Sequence, residues 1–328
     1  MKAKIKSQAE EIRKNLVEEI PLPSPYVLYI EPSGYCNLKC KFCPHFLSPE
    51  DLIKNWLSDE TIKALITQCN EFGTIEVIRL IGTGEPLLHP NILGIVKKIR
   101  LSGVCKRLEM TTNGILLNRL ADIKQLTSYL DRIVISIEGL TDQEYLRVTG
   151  KVVCVNKLID GLKVLYKNKG NCKVYVKIHN NAVKCQKDKN LFFQTFGDLC
   201  DEIYIENLVN LWPEHISDLG SDSQHRFGGG IDNRQVCTQI FKTLLVYANG
   251  DVVPCCVDFK RCHLLGNIHD VTLRDIWNGR VIQTLRMNHL KGRKKFIKAC
   301  SSCEFYKSDM DSLDNHSRYL ISKLKLCE

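Results

Sequence analysis

The chain has 328 residues, 44% of them hydrophobic and 25% charged, ordinary globular values that exclude a disordered polymer and suit one large α/β domain plus a smaller one. Lysine and arginine number 46 against 37 acidic residues, a formal charge of +9. That excess favours an anionic partner without choosing among a phosphorylated small molecule, nucleic acid and a membrane surface, and a solvated lysine-rich surface is the commoner explanation. No run approaches the roughly 18 apolar residues of a membrane span. The start, MKAKIKSQAEEIRKN, has no apolar signal-peptide core, so a cytoplasmic protein without a membrane partner is expected.

In chain order, residues 1–20 alternate apolar and charged positions helically until Pro21, Pro23 and Pro25 stop them, which predicts an N-terminal helix within 1–25. Short Val-, Ile- and Tyr-rich runs at 26–31, 75–80, 107–112, 132–137, 173–178 and 202–205 read as strands. Between them lie amphipathic stretches at 58–72, 89–101, 117–130, 142–146 and 153–168. Strands separated by helix-length crossovers imply a parallel sheet with helices outside, an open, partial (β/α)6 barrel of TIM-like kind over 26–215. Chemistry is then expected at the C-terminal strand ends. Residues 207–233, with Pro213 and Gly228-Gly229-Gly230, read as a linker or mobile loop (216–236 in the domain division) where specificity would lie. A hairpin over 243–253 turns at Asn249-Gly250, 273–290 has helical periodicity, and the lysine-rich stretch 291–298 reads as a solvated face. A small domain over 237–310 and a tail helix over 311–328 complete the division.

Sixteen cysteines are the anomaly. In a long chain without an export signal, clustered cysteines read as metal or iron–sulfur ligands rather than disulfides. Cys69, Cys105, Cys154, Cys172, Cys185 and Cys200 are scattered singly and read as buried structural thiols, and Cys327 as a tail residue. Cys36, Cys40 and Cys43 are spaced three and then two residues apart, directly after the first strand. Such a loop can give three thiolates to a cubane cluster and leave one iron open to a chelating ligand. A zinc site recruiting His45 is the alternative, with an unusual spacing for it.

This CxxxCxxC resembles the radical S-adenosylmethionine (SAM) superfamily, and further motifs extend the match. Phe42 stands where the family has an aromatic residue near the adenine. Gly82-Thr83-Gly84-Glu85-Pro86 resembles the glycine-rich segment that binds the methionine amino group, with Thr83 displacing the first glycine of the pattern. Thr111-Thr112-Asn113-Gly114 is similar to the family's third-strand turn. Ser136 and Glu138 are similar to the residues that face SAM after the fourth strand, and Arg147 to the arginine that pairs with its carboxylate.

Further on, Cys237, Cys255, Cys300 and Cys303, with Gly250 and the Leu273–Gly279 segment, resemble the SPASM or shorter "twitch" extension, which holds auxiliary 4Fe–4S clusters. Four ligands suit one fully ligated cluster, and the later cysteine run that would serve a second is absent. A structural zinc on the same four thiolates is the alternative. The arrangement is similar to that of single-auxiliary-cluster dehydrogenases of the 2-deoxy-scyllo-inosamine type. The resemblance implies SAM and two 4Fe–4S clusters as cofactors, a flavodoxin- or ferredoxin-like electron donor, and oxidation of an alcohol to a carbonyl on a small polar substrate. Cys256 and Cys262 are left over as candidate catalytic thiols, and either as hydrogen donor would make the enzyme an epimerase. Peptide modification is the second class, although the roughly 25 residues before the first strand are too few for a leader-binding domain. Nucleic-acid modification lacks an RNA-binding module or a basic stripe with interleaved aromatics.

Overall fold

The computed structural model describes residues 1–8, 15–120, 122–209, 211, 226–227 and 234–325. Runs such as IEVIRL and RIVISI are too short and too rich in β-branched residues for helices, and they pair. Six parallel strands, β2 (Val27–Ile30), β3 (Ile75–Leu80), β4 (Cys105–Thr112), β5 (Arg132–Ile137), β6 (Lys173–His179) and β7 (Glu202–Glu206), lie side by side in sequence order. The crossovers carry helices that start on side-chain caps, Ser58 to Thr61 N–H, Asn91 to Gly94 N–H and Asp122 to Gln125 N–H, while Thr141 and Glu144 form a full capping box. This is the expected mixed α/β partial barrel.

The pleat then sorts the side chains. Leu28, Ile78, Leu108, Ile133, Val174 and Ile203 join the core beneath the helices with Leu162, Phe192 and Phe196. The alternate positions turn inward and are largely polar. Arg79 Nε donates to Glu109 at 2.9 Å, Arg132 pairs with Glu202, and Lys177 stands 3.0 Å from Glu206.

Both edges of the open barrel are extended. The expected N-terminal helix is corrected here: Lys4–Ile5 form β1, paired parallel with Glu202–Ile203, and helix is confined to Leu16–Glu19 among the described residues. An edge strand leaves a row of unpaired backbone groups, and covering that edge outweighs a weak local helical preference. On the other side β8 (Thr243–Val246) pairs parallel with β2, and β9 (Asp251–Val253) and β10 (Gly266–Asn267) follow antiparallel. The hairpin turns where expected, with Gly250 at φ +88°.

Three other expectations change. The 273–290 helix breaks at an extended Gly279 into Leu273–Asn278 and Arg280–Leu290. Among its described residues, the 117–130 stretch keeps a 3-10 turn at Leu117–Arg119 and the helix Ile123–Tyr129. Lys294, in the stretch read as solvated, is buried over the Tyr306 ring and donates to the Cys303 carbonyl at 2.9 Å. Most of the 216–236 linker lies outside the described residues, as does Cys327. The helix Ser317–Lys325 packs Leu320 and Leu324 with Leu16, Val17 and Ile20 in a second core, so both ends of the chain share one cluster. Among the described residues no helix is long and apolar enough to cross a membrane.

Trp277 ties the C-terminal region to the start of the barrel: it is 1% exposed and its Nε1–H donates to the Leu22 carbonyl at 2.9 Å. Trp277→Phe removes that bond and leaves the carbonyl unpaired, an expected loss of about 1–2 kcal/mol. Trp277→Ala adds a cavity, for about 3–5 kcal/mol. Shifts of the urea midpoint in that order check both.

Candidate functional site

The loops at the C-terminal ends of β2, β3 and β4 meet above the barrel, and one carboxylate joins them. Glu85 accepts Leu87 N–H and the Thr112 hydroxyl on one oxygen and Asn113 N–H on the other, at 2.8 Å. Asn113 in turn donates to Asn37 Oδ1 at 2.7 Å, which reaches the loop of Cys36, Cys40 and Cys43. Gly84 permits the close approach: a Cβ there would stand 2.0 Å from the Ser33 carbonyl oxygen. Gly82 likewise packs on the Glu31 side chain. Thr83, the departure in this motif, gives Glu31 Oε2 two donors, its N–H and its hydroxyl, each at 2.7 Å.

Cys36, Cys40 and Cys43 are half-buried free thiols. Burial, with the neighbouring acids and thiols adding to it, pushes Cys36 up to about 12 and Cys43 up to about 11, and Cys40 well above its usual value. Three adjoining half-buried thiols resist ionising together, and a multivalent iron centre is what compensates such thiolates, so the donor set fits a cluster. Among the described residues no three His, Cys, Asp or Glu side chains converge closely enough to share one metal ion.

The other expected SAM residues stand around the same opening. Phe42 packs edge-on against His179, ring centroids 5.2 Å apart. Ser136 sits at the end of β5, and Glu138 just beyond it lies 3.5 Å from His179 Nε2. Burial pushes the Glu138 carboxyl up to about 7, Lys177 opposing and Glu206 adding to the rise. Arg147 is exposed on the helix Asp142–Thr149, near enough to His179 to help burial lower that imidazole to about 4. Sequence reading missed His179, Lys177, Glu206 and Arg226. Burial alone would raise the Glu206 carboxyl, but Arg226, at 2.7 Å, and Lys177 hold it at about 2. The signal available for the first three was polar residues at every second position of β6 and β7, on the face opposite Val176, Ile178 and Ile203.

In the C-terminal region, Cys237, Cys255, Cys300 and Cys303 line one cavity, with His263, His289 and Lys294 in its wall. Burial, reinforced by the other cysteines, raises the Cys237 and Cys255 thiols strongly and Cys300 to about 12. Here too the donor set suits a cluster. Cys256 does not line this cavity. It packs against Leu245, Tyr247 and Val253 beside Tyr29, and Arg226 and Arg79 counter the rise that burial imposes on its thiol. Cys262 does not line the cavity either but lies close enough to raise Cys300, and its N–H donates to Asp258 at 2.9 Å. Of the six scattered cysteines, Cys69, Cys105, Cys172 and Cys200 are buried as expected. Cys154 and Cys185 are exposed, because each precedes a helix at its N-cap.

A family model described as the radical SAM superfamily matches residues 30–183, and one described as an iron–sulfur cluster-binding domain, SPASM, matches 237–304. The chain therefore carries a radical SAM domain followed by a C-terminal SPASM domain, families that bind SAM with a 4Fe–4S cluster and auxiliary iron–sulfur clusters respectively.

A protein of Sulfurisphaera tokodaii described as probable GTP 3′,8-cyclase is 36% identical over 129 residues, 39% of each chain, so the match spans about two fifths of that relative. A Pyrococcus furiosus protein described as a tungsten-containing aldehyde ferredoxin oxidoreductase cofactor-modifying protein is 21% identical, covering 88% of this chain and 92% of its own. Among solved structures, BtrN in complex with AdoMet and 2-DOIA aligns with a TM-score of 0.56 at 18% identity over 85% of this chain and 92% of its own. Streptococcus suis SuiB bound to precursor peptide SuiA gives 0.53 at 16% over 83% and 69%. These structural likenesses establish the fold.

Glu85→Ala strips partners from Asn113 N–H and the Thr112 hydroxyl, both buried. The expected cost is about 2–4 kcal/mol, with Thr112→Val nearer 1 kcal/mol. Denaturation midpoints and faster amide exchange at Asn113 check it.

Proposed function

We propose that the enzyme oxidises an alcohol of a small polar molecule, a sugar, cyclitol or aminoglycoside-like compound, to a carbonyl. Cys36, Cys40 and Cys43 hold the SAM-binding cluster in this reading, and Cys237, Cys255, Cys300 and Cys303 the auxiliary one. The observation that carries it is the divergence of two neighbours: Cys255 lines the four-cysteine cavity, while Cys256 lies beside Tyr29, Arg79 and Arg226 of the barrel interior. One residue thus separates the auxiliary site from the space a substrate would occupy.

When bound, the first cluster and SAM supply a 5′-deoxyadenosyl radical that takes hydrogen from a C–H bond, and the auxiliary cluster supplies a one-electron sink. The chain's own contribution is placement. Gly82, Gly84 and Asn113 shape the strand-end loops for the methionine moiety, Glu85 fixes them, and Phe42, Ser136, Glu138 and Arg147 surround the remainder of SAM. Tyr29, Arg79 and Arg226, which line one cavity, offer hydroxyl and guanidinium donors to a polar substrate. A flavodoxin- or ferredoxin-type protein would deliver the initial electron. The alignment with BtrN over most of both chains supports a small-molecule substrate. SuiB, recorded with a precursor peptide, keeps peptide modification as the outcome to test against it.

The place of Cys256 favours one second reading, epimerisation with its thiol as hydrogen donor. Cys256→Ser separates the two. Oxidation predicts that carbonyl product still forms with substantial turnover. Continued 5′-deoxyadenosine formation without product would instead assign the donor role, and solvent deuterium on an inverted carbon in the parent enzyme would confirm epimerisation.

The two cluster assignments are tested by composition. Anaerobic reconstitution should give about eight irons and eight sulfides per chain, and joint replacement of Cys36, Cys40 and Cys43 by Ala should leave about four of each and abolish SAM cleavage. Zinc with only about four irons in the parent would refute the auxiliary assignment.

A further inference from the structure

His289 lies on the helix Arg280–Leu290 with none of its surface exposed, and its ring lines the cavity of Cys237, Cys255, Cys300 and Cys303. Its Nδ1 accepts the Cys237 backbone N–H at 3.2 Å. A ring nitrogen that accepts carries no proton, so the proton of this imidazole is on Nε2. That N–H is buried and has no hydrogen-bond partner. A buried donor left unpaired costs about 1–3 kcal/mol, so an unpaired one points to a group that completes the site.

Of the other polar groups in the wall, the Lys294 ammonium donates to the Cys303 carbonyl and lies over Tyr306, while His263 Nδ1, 3.6 Å from the Asp258 carboxylate, is a second buried ring nitrogen without a hydrogen bond. What the four cysteines surround is the acceptor left for His289.

We propose that His289 Nε2–H donates a hydrogen bond to a sulfur of the auxiliary cluster and so sets that cluster's reduction potential. The reason is electrostatic. The reduced cluster carries one more negative charge, an N–H dipole aimed at sulfur stabilises it more than the oxidised form, and the potential rises. A higher potential is what an electron acceptor requires. His289 is a positioning and tuning residue, since it touches neither substrate nor SAM. The inference rests on the auxiliary-cluster reading above.

The test uses the full chain with Cys36, Cys40 and Cys43 replaced by Ala, so that only the auxiliary cluster contributes. Pulsed EPR of the reduced, 15N-histidine-labelled protein should reveal a histidine nitrogen and an exchangeable proton coupled to the cluster. The midpoint potential of His289→Phe should move negative, and His289→Gln, which restores an N–H donor, should recover part of the shift. A histidine with only a structural role would lower cluster occupancy without these effects. An unmoved potential in cluster-loaded His289→Phe overturns the proposal. If that variant does not load, absence of the nitrogen coupling in the parent overturns it. Complete loss of iron from the parent would refute the auxiliary cluster itself, a distinguishable result.

Discussion

The buried carboxylate of Glu85 is the interaction on which the upper face depends. Parallel strands release their loops at one end of the barrel, and nothing in the strands themselves brings those loops into register with one another. Glu85 does so by accepting donors from its own turn and from the turn after β4, while Asn113 extends the link to Asn37 and the cysteine loop. Burial raises the carboxyl, and the donors from Asn113, Thr112 and Leu87 oppose that rise. An ordinary surface glutamate could not hold three loops, because water would compete for each bond.

The second constraint is the open barrel edge. Six strands do not close, and an exposed parallel edge is a liability. The chain solves this with the segments that flank the barrel: β1 covers β7, and β8 covers β2 while opening the hairpin of the SPASM domain. That domain is therefore continuous with the barrel sheet, and Trp277 and the shared cluster of the two chain ends fasten it. Cys256 reaches the barrel interior because its hairpin is a sheet extension.

The barrel interior is charged and nearly self-neutralising. Arg79 with Glu109, Arg132 with Glu202, and Lys177 and Arg226 with Glu206 form pairs away from bulk water. Breaking one member of such a pair strands the other, so these residues constrain one another strongly. They leave a polar interior that presents both hydrogen-bond donors and acceptors.

The sequence by itself determined the strand–helix alternation, the six barrel strands to within two residues at either end, the hairpin at Asn249-Gly250, and the two cysteine groups. These are local properties: periodicity, turn chemistry and spacing survive in a one-dimensional reading. The tertiary structure decided what local rules cannot contain. Lys4–Ile5 became a strand because a distant edge needed pairing, and Lys294 was buried because Tyr306 and the Cys303 carbonyl lie beneath it. Glu206 and Arg226 met across a stretch with no periodic signal, and His289 reached Cys237 from 52 residues away. Such pairings depend on which surfaces remain to be buried once the sheet has formed, and that is a property of the whole chain.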